Sequence, residues 1–287
     1  MKSQSTLPPL SETQRSALIS LLTDEDPSIY QTVRTRILAY GDAAGLWLRP
    51  YLLSSDPALR RRAQEIVDHL ARQNTDNQFV AFCLRQGEDF ELEAGLWLLV
   101  KTQYPGINSA AYSALLDSFA ADLRERVSLQ GPLEQILAGI NEFVFDHLGF
   151  KPNDQHYYDP DNSYLNRVID RRTGNPISLC LIYILLGRRL RLPITGIGLP
   201  GHFVCRYQST TNEIYVDAFN RGKLLTKADC VRYLLQTNHG LQEGHLAPVT
   251  NRRILLRICA NLHQIYAKLE WAEETARLQR YLVALAK

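Results

Sequence analysis

One apolar segment constrains the fold of this chain more than any other feature: PISLCLIYILLGRRLR, at residues 176–191. Asn175 is a favoured helix N-cap and Pro176 a favoured first helical residue, so the segment predicts a helix from about 176 to 191. Three β-like runs separated by turn residues follow it, at 193–199, 202–208 and 213–219. A long apolar helix followed by an antiparallel meander predicts an α+β core.

The chain before this core has a helical pattern throughout, over residues 11–128. Its first helix opens with the signature of a capping box, Ser11 and then Gln14. Two passages, DEDPSIYQTVRTRILAYGD and SSDPALRRRAQEIVDHLAR, each place Asp-Pro at a helix start with apolar residues at helical spacing. Their period of about 30 residues is typical of stacked HEAT-like helix pairs. A generic helical bundle with Asp-Pro caps explains the two passages equally well.

The last part of the chain, residues 250–287, has the pattern of two amphipathic helices. Asn261, Tyr266 and Ala272 fall near the positions that a tetratricopeptide hairpin would give them. One hairpin cannot bury its own apolar face, so we expect it to pack on the core. We therefore expect four segments: a disordered tail at 1–10, a HEAT-like helical domain at 11–128, the α+β core at 129–240 and a tetratricopeptide-like hairpin at 241–287.

Charge and composition exclude several classes of partner. Lys and Arg number 32 against 30 Asp and Glu, so no overall field attracts nucleic acid, and none is expected as a partner. The opening MKSQSTLPPLSETQ lacks the apolar stretch of a signal peptide, and no apolar run reaches the ~20 residues of a membrane span. The five cysteines are scattered without a CxxC pair, which favours reduced thiols and a cytoplasmic location over a zinc site or disulfides.

Three residues of the core follow the order of a papain-type triad: Cys180, His202 and Asp217. A thiol nucleophile needs a histidine that takes its proton and a carboxylate that orients the histidine. His202 begins one predicted strand and Asp217 ends the next, so antiparallel pairing would bring them within hydrogen-bond distance. Cys180, however, lies about one turn inside the predicted helix among apolar neighbours, where a free cysteine is commonly a small buried hydrophobe. His202 and Asp217 also have purely structural interpretations. His202 would be a hydrogen-bonded histidine at a strand edge, and Asp217 would be a carboxylate that caps a turn.

A polar and aromatic loop before the helix, which includes YYDPDNSYLN, frames a candidate pocket. Side chains of this kind make specific hydrogen bonds, and we expect several of them to converge with His202 on one cleft. The expected pocket residues are Tyr158, Asn162, Asn175, Pro176 and Asn220. Ordinary turn and capping chemistry is the alternative explanation of this loop. His202, His156 and the nearby carboxylates show no metal-ligand spacing, so neither a metal nor a cofactor is expected.

These residues resemble the SirB-type transglutaminase-like family. The resemblance rests on YYDPDNSYLNRVIDRRTGNPISLCLIYILLGRRLRLPITGIGLPGHFVCRY followed by YVDAFNRGKLL, and it is close over about 129–235. It extends to ELEAGLWLLVKTQYPGIN before the core and PVTNRRILLRICANLHQIY after it, which leaves the helices at 11–72 as an addition. The resemblance implies a transglutaminase-like, papain-like core of one central helix and an antiparallel sheet.

The wider superfamily uses a Cys-His-Asp triad on this fold, and by position His202 and Asp217 match its histidine and aspartate. The nucleophile does not match, because Pro176 stands where active members carry the cysteine that opens the helix. Cys180 lies four residues later, one turn or about 6 Å along the helix. The resemblance therefore implies a loss of catalysis. Related domains in an animal F-box protein imply a role in protein interaction.

Two functions remain open on this basis. The first is a non-catalytic transglutaminase-fold protein, a pseudoenzyme, that acts as an interaction, assembly or regulatory factor through its helical surfaces and a residual His/Asp pocket. Its partners would be proteins, and its pocket would hold a peptide or a small molecule. The second is a cysteine-dependent hydrolase or acyltransferase, with Cys180 as nucleophile, His202 as base and Asp217 as the orienting carboxylate.

Overall fold

A computed structural model describes residues 7–237, 242 and 244–287, and these form a helix-rich α+β protein, as predicted. The helices are α1 Glu12–Ser20, α2 Pro27–Leu38, α3 Asp42–Leu48, α4 Pro57–Arg85, α5 Leu92–Gln103, α6 Ser109–Arg126, α7 Leu133–Asn141, α8 Leu165–Arg171, α9 Pro176–Arg189, α10 Lys227–Gln236, α11 Asn251–Lys268 and α12 Ala272–Leu285. The strands are β1 Lys151–Pro152, β2 Thr173–Gly174, β3 Ile194–Ile197, β4 Val204–Gln208, β5 Glu213–Asp217 and β6 Lys223–Leu225.

The first of two compact units comprises residues 1–78 and 101–105. Its core contains the fully buried side chains of Leu22, Leu48 and Ile66, contributed by successive helical segments. Burial of such side chains stabilises each helix by about 1.5–3 kcal/mol per residue, more than helix propensity alone provides.

The predicted helix caps of this unit are confirmed. Ser11 forms the capping box at the start of α1. The carboxylates of Asp26 and Asp56 each accept a backbone N–H in the first turn of the following helix, from Ser28 at 2.8 Å and from Ala58 at 2.8 Å. Both Asp-Pro pairs therefore start helices in the predicted manner, with proline at a position whose missing N–H costs nothing.

The second unit comprises residues 79–100 and 106–287, and α9 lies at its centre. Every residue of α9 from Pro176 to Gly187 is buried. The helix packs against β3 and β4 of an antiparallel sheet whose strand order is β3-β4-β5-β6. One buried helix against an antiparallel meander is the core that the sequence predicts, with one strand more than the three predicted runs.

The central helix ends two residues earlier than predicted, at Arg189. The cause is local, because Arg191 adopts a left-handed backbone with φ of 59° and Pro193 disfavours helix in the residue before it. The backbone N–H of Leu192 then donates to the carbonyl of Gly187 at 2.9 Å, which closes the helix end.

Four elements of the core are not apparent from the sequence pattern: a π-helical segment and three short strands. Directly after α7, the chain continues as a π-helical segment, Glu142–His147. The short strands β1 and β2 pair in parallel, and β6 extends the sheet after the turn at Gly222. Elements of two or three residues carry too little periodicity to be recognised from sequence.

The C-terminal helices α11 and α12 pack on each other and on the second unit's core. The buried guanidinium of Arg252 donates to the carbonyls of Leu285 and Ala284 at 2.8 Å each, and to that of Cys83 at 2.8 Å. These are carbonyls at helix ends, which lack partners inside their own helices. None of the helices in the described ranges combines the length and apolarity that a bilayer crossing requires.

Candidate functional site

The imidazole of His202 and the carboxylate of Asp217 form a direct hydrogen bond of 2.9 Å between Nε2 and Oδ2. His202 precedes β4, and Asp217 is the last residue of β5, its antiparallel neighbour. The strand pairing expected from the sequence therefore places the two side chains together. Because a carboxylate only accepts hydrogen bonds, Nε2 carries the proton and Nδ1 is the ring nitrogen left for other partners.

Asp217 is held by more than the histidine. The side-chain amide of Asn220 donates to its Oδ2 at 2.7 Å, and the Asn220 backbone N–H donates to its Oδ1 at 3.2 Å. Burial alone would raise the pKa of Asp217, but the hydrogen bonds and charge of His202, together with the bonds from Asn220, hold it below its ordinary value of 3.8. Asp217 is therefore an anion whose role in this site is to orient the imidazole.

A tight turn before β4 positions His202. Gly201 has a positive φ of 72°, which a residue with a Cβ adopts at a cost. The backbone N–H of His202 donates to Leu199 at 3.1 Å, and the hydroxyl of Tyr233 donates to Pro200 at 3.0 Å. The turn is thus fixed from both sides, and the imidazole leaves it in a defined direction.

Asn175 and Pro176 form the start of α9. The Asn175 side chain accepts the N–H of Ser178 at 3.0 Å and donates to the hydroxyl of Ser163 at 3.0 Å. Gly174 precedes them, and a Cβ there would lie 2.4 Å from Oγ of Ser178. The first turn of α9 is consequently polar and tightly specified, and its first residue is a proline.

Cys180 lies one turn further along α9 and is fully buried. Its thiol donates to the carbonyl of Phe203 at 3.4 Å, and the thiol of Cys205 donates to the carbonyl of Cys180 at 3.6 Å. Burial raises the pKa of Cys205 well above its ordinary value, as does the neighbouring Cys180. These surroundings disfavour negative charge, whereas a catalytic cysteine needs surroundings that favour it.

A pocket of about 580 Å³ opens beside His202. The start of α9, the turn before β4, the tyrosines of the polar loop and one face of α11 form its walls. Its lining residues are Tyr157, Tyr158, Asn175, Pro176, Ile177, Pro200, Gly201, His202, Phe203, Arg257, Ala260, Asn261, Gln264 and Ile265. This volume lies in the range of small-molecule and peptide side-chain sites.

The sequence-predicted residues divide between the pocket wall and the layer behind it. Tyr158, Asn175, Pro176 and His202 line the pocket. Asn162, Asp217, Asn220 and Cys180 are absent from the described lining.

The residues behind the pocket wall position the lining residues through hydrogen bonds. Asn162 is buried and donates to the carbonyl of His156 at 2.8 Å, which fixes the polar loop. Asp217 and Asn220 support His202, whereas the thiol of Cys180 donates to the backbone of Phe203 behind the wall.

The sequence reasoning missed the wall that α11 contributes. Arg257, Asn261 and Gln264 follow each other at the spacing i, i+4, i+7, which places them on one helix face. That polar stripe beside a buried apolar face is visible in the sequence, but nothing local indicates which part of the core it meets. The contact depends on tertiary packing, including the 3.0 Å hydrogen bond between the hydroxyls of Tyr164 and Tyr266.

The pocket is rich in hydrogen-bond donors and has a positive wall. Burial raises the pKa of Tyr157 and of Tyr233, and in both the charge of Arg257 opposes that rise. The positive charge of Arg257 therefore reaches the hydroxyl of Tyr157 in the pocket wall and that of Tyr233 behind it. Lys268 adds a second cation at the rim, 3.8 Å from the centre of the Tyr158 ring.

The described residues contain no group of three His, Cys, Asp or Glu side chains that could hold a metal ion. The chemistry of the site is that of an oriented imidazole facing a donor-lined pocket. A histidine of this kind activates a nucleophile when one is within reach. The position nearest to that role at the helix start is a proline, which offers none.

Known proteins resemble this chain over its core. The model of the Transglutaminase-like superfamily matches residues 110–260. A UPF0162 protein of Xylella fastidiosa is 36% identical over 200 residues, which cover 66% of this chain and 70% of that protein. A UPF0162 protein of Pseudomonas aeruginosa is 29% identical over 192 residues, or 64% of this chain and 68% of that protein.

A eukaryotic protein is similar as well. F-box only protein 21 of Mus musculus is 29% identical over 252 residues, which cover 76% of this chain and 39% of that protein. No solved structure matches the chain significantly.

Proposed function

The chain belongs to the transglutaminase-like superfamily, and we propose that it is a non-catalytic member whose pocket binds a ligand on a protein partner. In this role it serves as an interaction, assembly or regulatory factor. The observation that carries the proposal is Pro176, which occupies the first position of α9 and lines the pocket next to His202. A proline there has neither a thiol nor an N–H with which to attack or to stabilise an anion.

The position of Cys180 supports the same conclusion. Its side chain is 0% exposed, and its thiol already donates a hydrogen bond to the carbonyl of Phe203. A substrate carbonyl would have to displace Phe203 or the first turn of α9 to reach that sulfur. Both are well packed, so such a displacement would cost several kcal/mol.

We also propose a family branch and a domain organisation for the chain. We assign the chain to the SirB-type branch, with a HEAT-like region at 11–128, a transglutaminase-like core at 129–240 and a tetratricopeptide-like hairpin at 241–287. The Asp-Pro caps of α2 and α4 and the packing of α11 against α12 support these assignments. The proposed tail at 1–10 lies partly outside the described residues, as does the junction near 240.

A protein partner is proposed for two reasons. Helical repeats present extended surfaces that suit protein ligands, and one relative is named as an F-box only protein. All five cysteines are unpaired and buried, which supports a reducing compartment such as the cytoplasm.

The second candidate is a cysteine-dependent hydrolase or acyltransferase that uses Cys180, His202 and Asp217. The 2.9 Å bond between His202 and Asp217 favours it, because that pair has the geometry of the proton-carrying half of a triad. It requires α9 to open so that Cys180 reaches the pocket.

Alkylation of each cysteine against pH, read by peptide mass spectrometry, separates the two candidates. The four other thiols are internal controls, since burial raises the pKa of Cys83 to about 12, of Cys230 to about 11, and of Cys205 and Cys259 well above the ordinary value. We expect Cys180 to remain unmodified until the protein unfolds. Rapid modification of Cys180 at pH 6–7 that His202→Ala abolishes would establish the hydrolase instead.

A further inference from the structure

One wall of the pocket is cationic, and the described residues provide no counter-ion for it. Arg257 is half-buried, and its Nη2 donates to the carbonyl of Leu199 at 3.3 Å. A guanidinium has five N–H donors, so most of its capacity is unused by this bond. Within the described part of the chain, no carboxylate pairs with Arg257, and no Asp or Glu lines the pocket. The carboxylate of Asp217 is engaged by His202 and Asn220.

Asn261 and Gln264 extend the donor set along the same face of α11, one and two turns after Arg257. The side-chain amides of both residues can donate and accept hydrogen bonds. They can therefore bind the same planar, oxygen-bearing group that a guanidinium binds. Tyr157 and Tyr158 contribute hydroxyls from the loop that faces this helix across the pocket. A carboxylate is the group that matches an unpaired, half-buried guanidinium flanked by amides and hydroxyls.

His202 offers the complementary chemistry. Since Nε2–H donates to Asp217, the neutral ring presents Nδ1 as an acceptor. A ligand with an N–H group close to its carboxylate could therefore bind His202 and Arg257 at the same time. Ile177, Phe203 and Ile265 also line the pocket, and their apolar surface suits an apolar side chain.

We propose that this pocket binds the carboxylate of an N-acylated amino acid, seated on Arg257, with the adjacent amide N–H directed at Nδ1 of His202. The C-terminal residue of a peptide and a free N-acyl amino acid share this chemistry. The inference rests on the proposed binding function and names its ligand class. It gives Arg257 the role of specificity determinant in a site where the fold's nucleophile position is occupied by proline.

The test compares probes that differ in one group. N-acetyl-L-leucine is titrated against N-acetyl-L-leucinamide, with NMR shifts of the arginine Nε–H and histidine ring signals as the readout. We expect the acid to shift the Arg257 and His202 signals and to bind at least about tenfold more tightly than the amide, as loss of a charge-assisted pair predicts. Arg257→Gln should remove that difference, and Arg257→Lys should keep part of it.

Arg253→Gln is the matched control, because Arg253 lies one turn earlier on α11, is exposed and does not line the pocket. It should leave both affinities unchanged. Thermal unfolding of each variant confirms that it is folded. An acetylated Ala-Ala-Leu peptide with a free C-terminus distinguishes the two sources: tighter binding than N-acetyl-L-leucine identifies a peptide end, and equal binding identifies the free acid.

Two results would overturn the inference. If the amide binds as tightly as the acid, the pocket is a binding site without carboxylate specificity, and the proposed function survives its loss. If neither acid nor peptide binds the folded wild-type protein at millimolar concentration, the ligand class is wrong. The alkylation experiment still tests the non-catalytic part of the proposed function, independently of this result.

Discussion

The first and second turns of α9 differ more than their separation in sequence would indicate. The first turn is capped by Asn175, begins with Pro176 and faces the pocket. The second turn carries Cys180 into the buried interior. A helix N-terminus stabilises negative charge, while burial opposes it, so a charged group meets different surroundings in the two turns. Membership in an enzyme superfamily therefore says little about catalysis until the nucleophile's position within the helix is known.

The largest expected contrast comes from placing the same carboxylate one turn apart. Cys180→Asp should destabilise the protein by at least ~3 kcal/mol, because it buries a charge without a partner. Pro176→Asp should cost less than ~1 kcal/mol, because the carboxylate gains the helix N-terminus and the pocket. Urea unfolding of both variants measures the difference. Equal losses would mean that the two turns are not distinct environments.

A thiol at the first turn should react much faster than the buried thiol of Cys180. In the Pro176→Cys variant, we expect the introduced thiol to have a pKa near 7 or below, lowered by the helix N-terminus and by His202. At pH 6.5 it should be alkylated at least about 25-fold faster than an ordinary thiol of pKa ~8.5, as the ratio of the thiolate fractions predicts. The double variant with His202→Ala is the control and should lose most of the gain. A slow introduced thiol would show that the His202–Asp217 pair does not serve this position.

The next expected effect concerns the anion that orients His202. Asp217→Asn should lower the free energy of unfolding by about 2 kcal/mol at pH 7, since it disturbs a buried, charge-assisted pair. The native pKa of Asp217 lies below 3.8, so the carboxylate stabilises the fold above the unfolded pKa of ~3.9. That stabilisation is lost as the pH falls through the native pKa.

Denaturant unfolding of wild type and Asp217→Asn at pH 7 and pH 3 tests this dependence. The difference in the free energy of unfolding between the two proteins should be smaller at pH 3 than at pH 7. If this difference stays constant, the loss comes from packing and not from charge.

The smallest expected effect compares two capping boxes. Asn175→Ala should cost about 2 kcal/mol, because Asn175 is buried and its amide also serves Ser163. Thr226→Ala removes the exposed cap of α10 and should cost about 1 kcal/mol. Thermal unfolding of the two variants ranks them. An equal loss would indicate that the bond between Asn175 and Ser163 adds nothing to the cap.

Helix caps and helix starts depend on residues that are neighbours in sequence, so they could be predicted from the sequence. The Asn175 cap, the Pro176 start and the Asp-Pro caps at 26–27 and 56–57 follow from local backbone chemistry, and each is present. Antiparallel pairing of consecutive strands also placed His202 beside Asp217 correctly. These contacts span few residues, so the sequence pattern nearly determines them.

The pocket wall on α11 was not predictable, because it depends on packing between segments far apart in the chain. Arg257 faces His202 only because α11 is held against the core by contacts such as that of Tyr266 with Tyr164. A polar stripe on a helix indicates a solvated face as readily as a binding wall. The π-helical segment after α7 was missed for a related reason, since its pattern is that of an ordinary amphipathic helix.

Arg252 makes the pocket wall on α11 dependent on a distant part of the chain. Its guanidinium joins the carbonyl of Cys83 to those at the end of α12, across 169 positions of sequence in the first case. Cys83 and α11 belong to one compact unit, and domains generally fold as units. The wall of the pocket on α11 therefore forms cooperatively with the end of α4.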